Sequence, residues 1–584
     1  MDARTVSPQV RAHAPDRSRR SSPTLTESTS GADEANYHAI QAKNIIQIEL
    51  GDSRITSNKM QSILKSALEL VNGIATSEHR HADLLHEEET FEQELALSIP
   101  DVPPREMLFM LFRDPSESGR ARWPDHISDQ CYERMATALL QGDLNPPSRL
   151  YHQYCICVYV KAIVYIDKTV RNTNSAALKE QFSQSRAAYT AAAIRSIQHF
   201  SILGRPNLST IQCLISSALL MQLLGRLNQC WVLNSYAARQ ITSLNYHKVH
   251  RVVASTDEKQ DIYNVVYWCF FLDRNLSSLM GRPPSLPDLE VSPSELIQLD
   301  PSSPYNILIH FLLDLAEIQS SFHSLSFRGI HQSDDAILEA CQVLETRMQG
   351  LLPRLQTNRD SLPRVVQHDW ISTEFSYYAI FVEIYRTRLK SSYTPLVHRL
   401  CLSYSLKSLK AFYFLLEQPA ERPASDDPYP SFITWTLFFY PLSPFFVVFC
   451  NIVGTLNHEN YTLLQNITTR LSQFRRNPHL ERLLDLLLSL EQLCKPLFQE
   501  QNVDNPIGED GSAPVECPSA LPMVTDNADL GPSLVTHADT NMDLSNATIS
   551  NTGVGSSTDW MMWQLFNSQV PAGWFNSESD PFPF

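Results

Sequence analysis

The chain has 584 residues, with 47 Lys and Arg against 63 Asp and Glu and a formal net charge of −16. That length holds a large core plus tails. The acidic balance excludes nucleic-acid binding by bulk positive charge, and 17 glycines leave few candidates for phosphate-cradling loops.

Strand signals are poor and helical periodicity is pervasive, so the expected fold is all-α. Residues 1–38 are dominated by Pro, Ser, Thr and Arg and read as a disordered tail. Within it, Arg17, Arg19 and Arg20 read as solvated chain, with part of a nuclear import signal as the other reading. Residues 39–149 form a helical lead-in, with short helical patterns near 40–50 and 57–74. His79, His81, Asp83 and His86 are all metal-ligand types. No second ligand group accompanies them, so residues 79–89 are expected to be an exposed charged linker. Residues 123–128 and Met135 read as helices entering the main domain, 150–500.

Within the main domain, an apolar helix opens at Ser209 and runs to about Leu224. A second helix follows through Trp231, Tyr236 and Ile241 and ends near 244–247, where Asn245 tolerates left-handed geometry. Residues 255–288 then read as one helix with a hard stop. Ser255 and Glu258 form a capping box. Ile262, Val265, Val266, Cys269, Leu272, Leu276 and Leu279 recur at helical spacing. Gly281 suits a left-handed C-terminus, and Pro283 and Pro284 cannot continue the helix. Asp273 and Arg274 fall inside this apolar helix. Buried charges need partners, so they are expected to form a buried pair bracing the helix against the 281–284 turn, with Arg282 the nearest partner for Asp273.

Further on, 377–386 and 401–416 suit paired core helices, and 435–453 reads as a late aromatic-aliphatic helix. Residues 432–456 carry no charge and are long enough for a membrane span. Pro441, Pro444, several hydroxyls and Asn451 argue instead for a helix buried in a globular domain. Residues 501–584 change character: eleven acidic residues, no Lys or Arg, and large apolar side chains at Trp560, Trp563, Leu565, Phe566, Trp574 and Phe575. Acidic residues keep aromatics solvated, and such a segment can fold as an amphipathic turn into a coactivator groove. It reads as an activation region; the other reading is a tail docked on its own body.

No catalytic constellation assembles: there is no Gly-x-Ser-x-Gly, Walker or Gly-x-Gly-x-x-Gly loop and no His-Glu-x-x-His. The eleven cysteines begin at Cys131 and are scattered singly, as expected of buried thiols in a reducing compartment.

One pattern is more specific. Tyr267-Trp268, Leu272-Asp273-Arg274 and Gly281-Arg282-Pro283-Pro284 stand at offsets that resemble the fungal-specific transcription factor domain, the middle homology region of zinc-cluster regulators. The resemblance covers about 150–500 and is strongest over 205–290, although Leu244-Asn245-Tyr246-His247 replaces the family's usual glycine turn. It implies a nuclear transcription regulator and no enzyme, with 150–500 as the regulatory domain. A pathway-specific role follows by analogy, in a secondary-metabolite or nutrient gene cluster. The family's six-cysteine zinc cluster has no counterpart among these cysteines, so no cofactor is expected in this chain. DNA would be reached through a partner zinc-cluster protein, as a homo- or heterodimer, or through an N-terminal segment preceding this sequence. A transcriptional coactivator is the other expected partner, and no membrane is. The alternative is a non-DNA-binding cofactor or repressor that binds a zinc-cluster factor; a helical enzyme or ligand-binding protein is a more distant third.

Overall fold

The structure, a computed structural model, describes residues 101–112 and 124–499 apart from short interruptions, the longest 418–430, together with single positions between 62 and 69. The expected N-terminal tail, the 40–50 pattern, the 79–89 segment and the acidic tail with Trp560, Trp563, Leu565, Phe566, Trp574 and Phe575 lie outside these residues. Among the described residues there are fifteen α-helices and no strand, so the fold is all-α.

The first helices enclose one that is buried all round. Helix α1 (Arg105–Phe112) leads into α2 (Asp129–Gln141), whose N-cap Ser128 accepts from Cys131 N. Helices α3 (Arg149–Asn172) and α4 (Ala176–Gln198) pack as a hairpin, as do α5 (Leu208–Leu223) and α6 (Leu227–Ser243). Every residue of α5 from Thr210 to Leu223 is buried. A helix without a polar face belongs at the centre, and α5 packs against α3, α6 and α7. Asn245 closes the chain after α6 with φ +58, the left-handed geometry its side chain tolerates.

Helix α7 (Asp257–Met280) carries the Asp-Arg pair and joins the two halves, since it packs on α5, α6 and α8 (Pro304–Arg328). Its cap corrects the expected box: Thr256, not Ser255, accepts from Lys259 N at 3.2 Å. Ser255 itself lies outside the described residues. Then follow α9 (Asp334–Ser361), α10 (Arg364–Ser391) and α11 (Pro395–Glu417). The last two form an extensive pair, with Phe375 on Phe412 and Phe381 on Tyr404.

The expected helix over 435–453 is two helices. Helix α12 (Ser431–Trp435) ends in a turn, and α13 begins at Ser443 and runs to Thr455. Pro441 drives Tyr440 out of helical geometry, and Pro444 opens the new helix, where its missing N–H is not needed. No helix among the described residues is long and apolar enough to cross a membrane. Helices α14 (His458–Leu471) and α15 (Pro478–Gln499) complete the body.

Candidate functional site

The sequence motif folds into a clamp. Asp273 and Arg274 are almost wholly buried, at 0% and 2% exposure. Gly281 takes φ +62, which turns the chain, and the Arg282 amide donates back to Ser277 O at 2.9 Å. The prolines at 283, 284 and 287 have no N–H. Only Ser285 and Leu286 can therefore donate from this segment, and both donate to Asp273, at 2.9 Å and 3.1 Å. Arg274 donates to Leu286 O at 2.9 Å, to the exposed Asp288 carboxylate at 3.0 Å, and lies 3.4 Å from Asp273. Burial pushes the Asp273 carboxyl up, against the opposing pull of Arg274 and the two amides.

The expected partnership of Arg282 with Asp273 does not form. Arg282 points the other way: its guanidinium lies over the Trp231 ring, 4.6 Å from the centroid, and donates to Asn228 Oδ1 at 3.0 Å. Ser285 Oγ donates to Ser235 Oγ at 2.8 Å. Asn228, Trp231 and Ser235 share one face of α6, so the turn is tied to two helices at once. Pro283 is exposed and Pro284 half-buried; the two stop the helix and keep the amide supply to two.

The same helix braces residues 124–128, expected to be helical, which form a loop that ends at the Ser128 cap because α2 begins only at Asp129. Trp268 Nε1 donates to Pro124 O at 2.9 Å and the Tyr267 hydroxyl to Asp125 O at 3.3 Å. Asp261 accepts from Ser128 N at 3.0 Å and Ser128 Oγ at 3.2 Å. The segment held this way places Asp125 beside Lys161 Nζ, at 2.7 Å, and beside His126 Nδ1, at 2.8 Å. Burial alone would raise the Asp125 carboxyl; Lys161 and His126 outweigh it and hold it well below the usual carboxylate range. Lys161 is the single charged residue in the run from Leu150 to Ile166. The argument that drew attention to Asp273 and Arg274 applies equally to it, so its signal was legible.

Beside these groups lies a cavity of about 180 Å³ lined from α2, α3, α5, α7, α8, α10 and α12. Trp268, Phe271 and Trp435 form an aromatic wall, with Phe271 and Trp435 stacked at 6.4 Å and 28°. Val160, Val164 and Leu219 line it on the aliphatic side. Asp125, Lys161, Asp167, Asp369 and the hydroxyls of Ser372 and Thr373 supply its polar edge. Asp167 pairs with Arg186 at 2.8 Å, and Asp369 accepts from the Tyr305 hydroxyl at 2.9 Å.

The ten described cysteines are buried thiols. Among the described residues, no group of three or more His, Cys, Asp or Glu is placed to hold a metal ion.

Residues 157–349 match the family model of the fungal specific transcription factor domain. No curated protein and no solved structure is matched by the chain. The matched stretch runs from within α3 to within α9 and holds the whole clamp, whereas Asp369 and Trp435 lie beyond it. The match covers 193 of the 584 residues, and the model it matches is that of a transcription factor domain.

Proposed function

We propose that this protein regulates transcription of a specific pathway, with the helical body as its regulatory part and the acidic, aromatic segment 501–584 as its activation region. The observation that carries the reading is the coincidence of the family match with a motif that has a physical job. Residues 157–349 contain Asp273, Arg274, Gly281 and the following prolines, and those residues build one closed clamp. The charge distribution supports the second half of the proposal. All eleven charged side chains of 501–584 are acidic, and they are interleaved with Trp560, Trp563, Leu565 and Phe566. A coactivator with an apolar groove is the partner that chemistry fits.

The body carries no strong positive field, so DNA contact is assigned to a zinc-cluster partner, or to a segment preceding this sequence. No cofactor is assigned to this chain. The test is a reporter assay with the chain tethered to a heterologous DNA-binding domain. The full chain raises reporter output, and deletion of 501–584 abolishes the rise while partner binding persists. Output unchanged or raised by the deletion would overturn the activator reading in favour of a cofactor or repressor that titrates a zinc-cluster factor.

A further inference from the structure

We propose that the cavity bounded by Trp268, Phe271 and Trp435 binds a small aromatic molecule that donates hydrogen bonds and carries no negative charge: a phenol, an indole or an arylalkylamine. Size sets the first limit. An engineered apolar cavity of about 150 Å³ accepts benzene, so about 180 Å³ takes one or two fused rings with a short substituent. Shape sets the second. Phe271 and Trp435 lie nearly parallel, and Trp268 stands edge-on to Phe271 at 86°. That surface offers a flat guest both offset stacking and edge contacts.

The polar edge decides the chemistry. Three carboxylates reach the lining, from Asp125, Asp167 and Asp369, against one ammonium, from Lys161. Lys161 is turned toward Asp125, at 2.7 Å, with Asp129 at 3.7 Å. His126 has its Nδ1 at Asp125 and its Nε2 2.7 Å from Ser216 Oγ. Ser372 and Thr373 donate their hydroxyl protons to carbonyls one turn back, at 3.2 Å and 3.0 Å. What these hydroxyls offer the cavity is lone pairs. Tyr132 and Ser376, also in the lining, spend their hydroxyl protons on Asp125 and on Ser372 O, so the carboxylates outnumber the one ammonium around the space. A guest with an O–H or N–H is recognised, and a carboxylate or phosphate meets like charge and finds few donors.

This proposal concerns binding alone and goes beyond the regulatory reading; neither depends on the other. Purified full-length protein is titrated with indole, phenethylamine and benzoate, followed by tryptophan fluorescence and thermal shift. Indole and phenethylamine are expected to quench the fluorescence saturably and raise the melting temperature, and benzoate at equal concentration to do neither. Val164→Phe places a ring in the cavity and is expected to weaken indole binding at least tenfold. If that variant does not fold, Ser372→Ala removes one acceptor and is expected to weaken indole binding about fivefold. Benzoate binding as well as indole would overturn the charge argument. Undiminished indole binding in both variants, or no binding of either donor probe at millimolar concentration, would overturn the site.

Discussion

Asp273 and Arg274, neighbours in the chain, hold the two polar ends of Leu286: the carboxylate takes its N–H and the guanidinium takes its carbonyl. The arrangement is a consequence of the prolines. With 283, 284 and 287 unable to donate, the segment after the turn cannot form helix or strand hydrogen bonds and would leave buried backbone groups unsatisfied. The charged pair satisfies them from inside the preceding helix. The Asp-Arg pair and the Gly-Arg-Pro-Pro turn are thus two parts of one device.

Replacing Asp273 by Ala removes the acceptor for two amides and leaves Arg274 buried with less compensation. The expected loss is about 3–5 kcal/mol, the range for breaking a buried pair from one side. Urea denaturation of the body measures it. The double variant Asp273→Ala with Arg274→Met should lose less than the sum of the two single changes, because no lone buried charge remains.

Gly281 has φ +62, and a Cβ built there meets no heavy atom within 4 Å. Gly281→Ala therefore costs only the left-handed backbone term, about 1–2 kcal/mol. Gly281→Asn should cost less than Ala. Thermal melts of the two variants order them. Equal stability of Ala and Gly at this position would refute the turn's role.

Arg282 stacks on Trp231 and donates one hydrogen bond to Asn228. Lysine keeps the charge and loses the planar stack. Both Arg282→Lys and Arg282→Gln are expected to destabilise by about 0.5–2 kcal/mol. A full rescue by lysine would show that charge alone matters there.

The depressed Asp125 carboxyl makes a pH prediction. Its folded pKa lies below the unfolded value of about 3.9. Its stabilising contribution is thus complete above that value and fades as pH falls toward the folded pKa. Wild type should lose stability steeply between about pH 4 and pH 2. Asp125→Asn should be less stable at pH 7 and show a shallower slope in the acid range. Denaturation midpoints at several pH values decide it, and identical slopes would remove Asp125 from the account.

Most helices and their stops were legible in the residues, because periodicity, capping residues and prolines act within a turn or two of where they stand; 435–453, which reads as one helix, is the exception. The run into Gly281, the left-handed Asn245 and the largely apolar helix α5 are of this kind. The sequence by itself also determined that Asp273 and Arg274 had to be satisfied. The identity of the partners was a tertiary matter. Arg282, nearest in sequence, swings onto α6, while two backbone amides beyond the prolines reach Asp273. The cap moved from Ser255 to Thr256, because neighbouring hydroxyl residues compete and sequence spacing cannot choose between them. The cavity was least legible, since its walls come from Trp268, Val164 and Trp435, residues more than a hundred positions apart. Their meeting depends on how seven helices cross, which is set by packing over the whole core and by no local pattern.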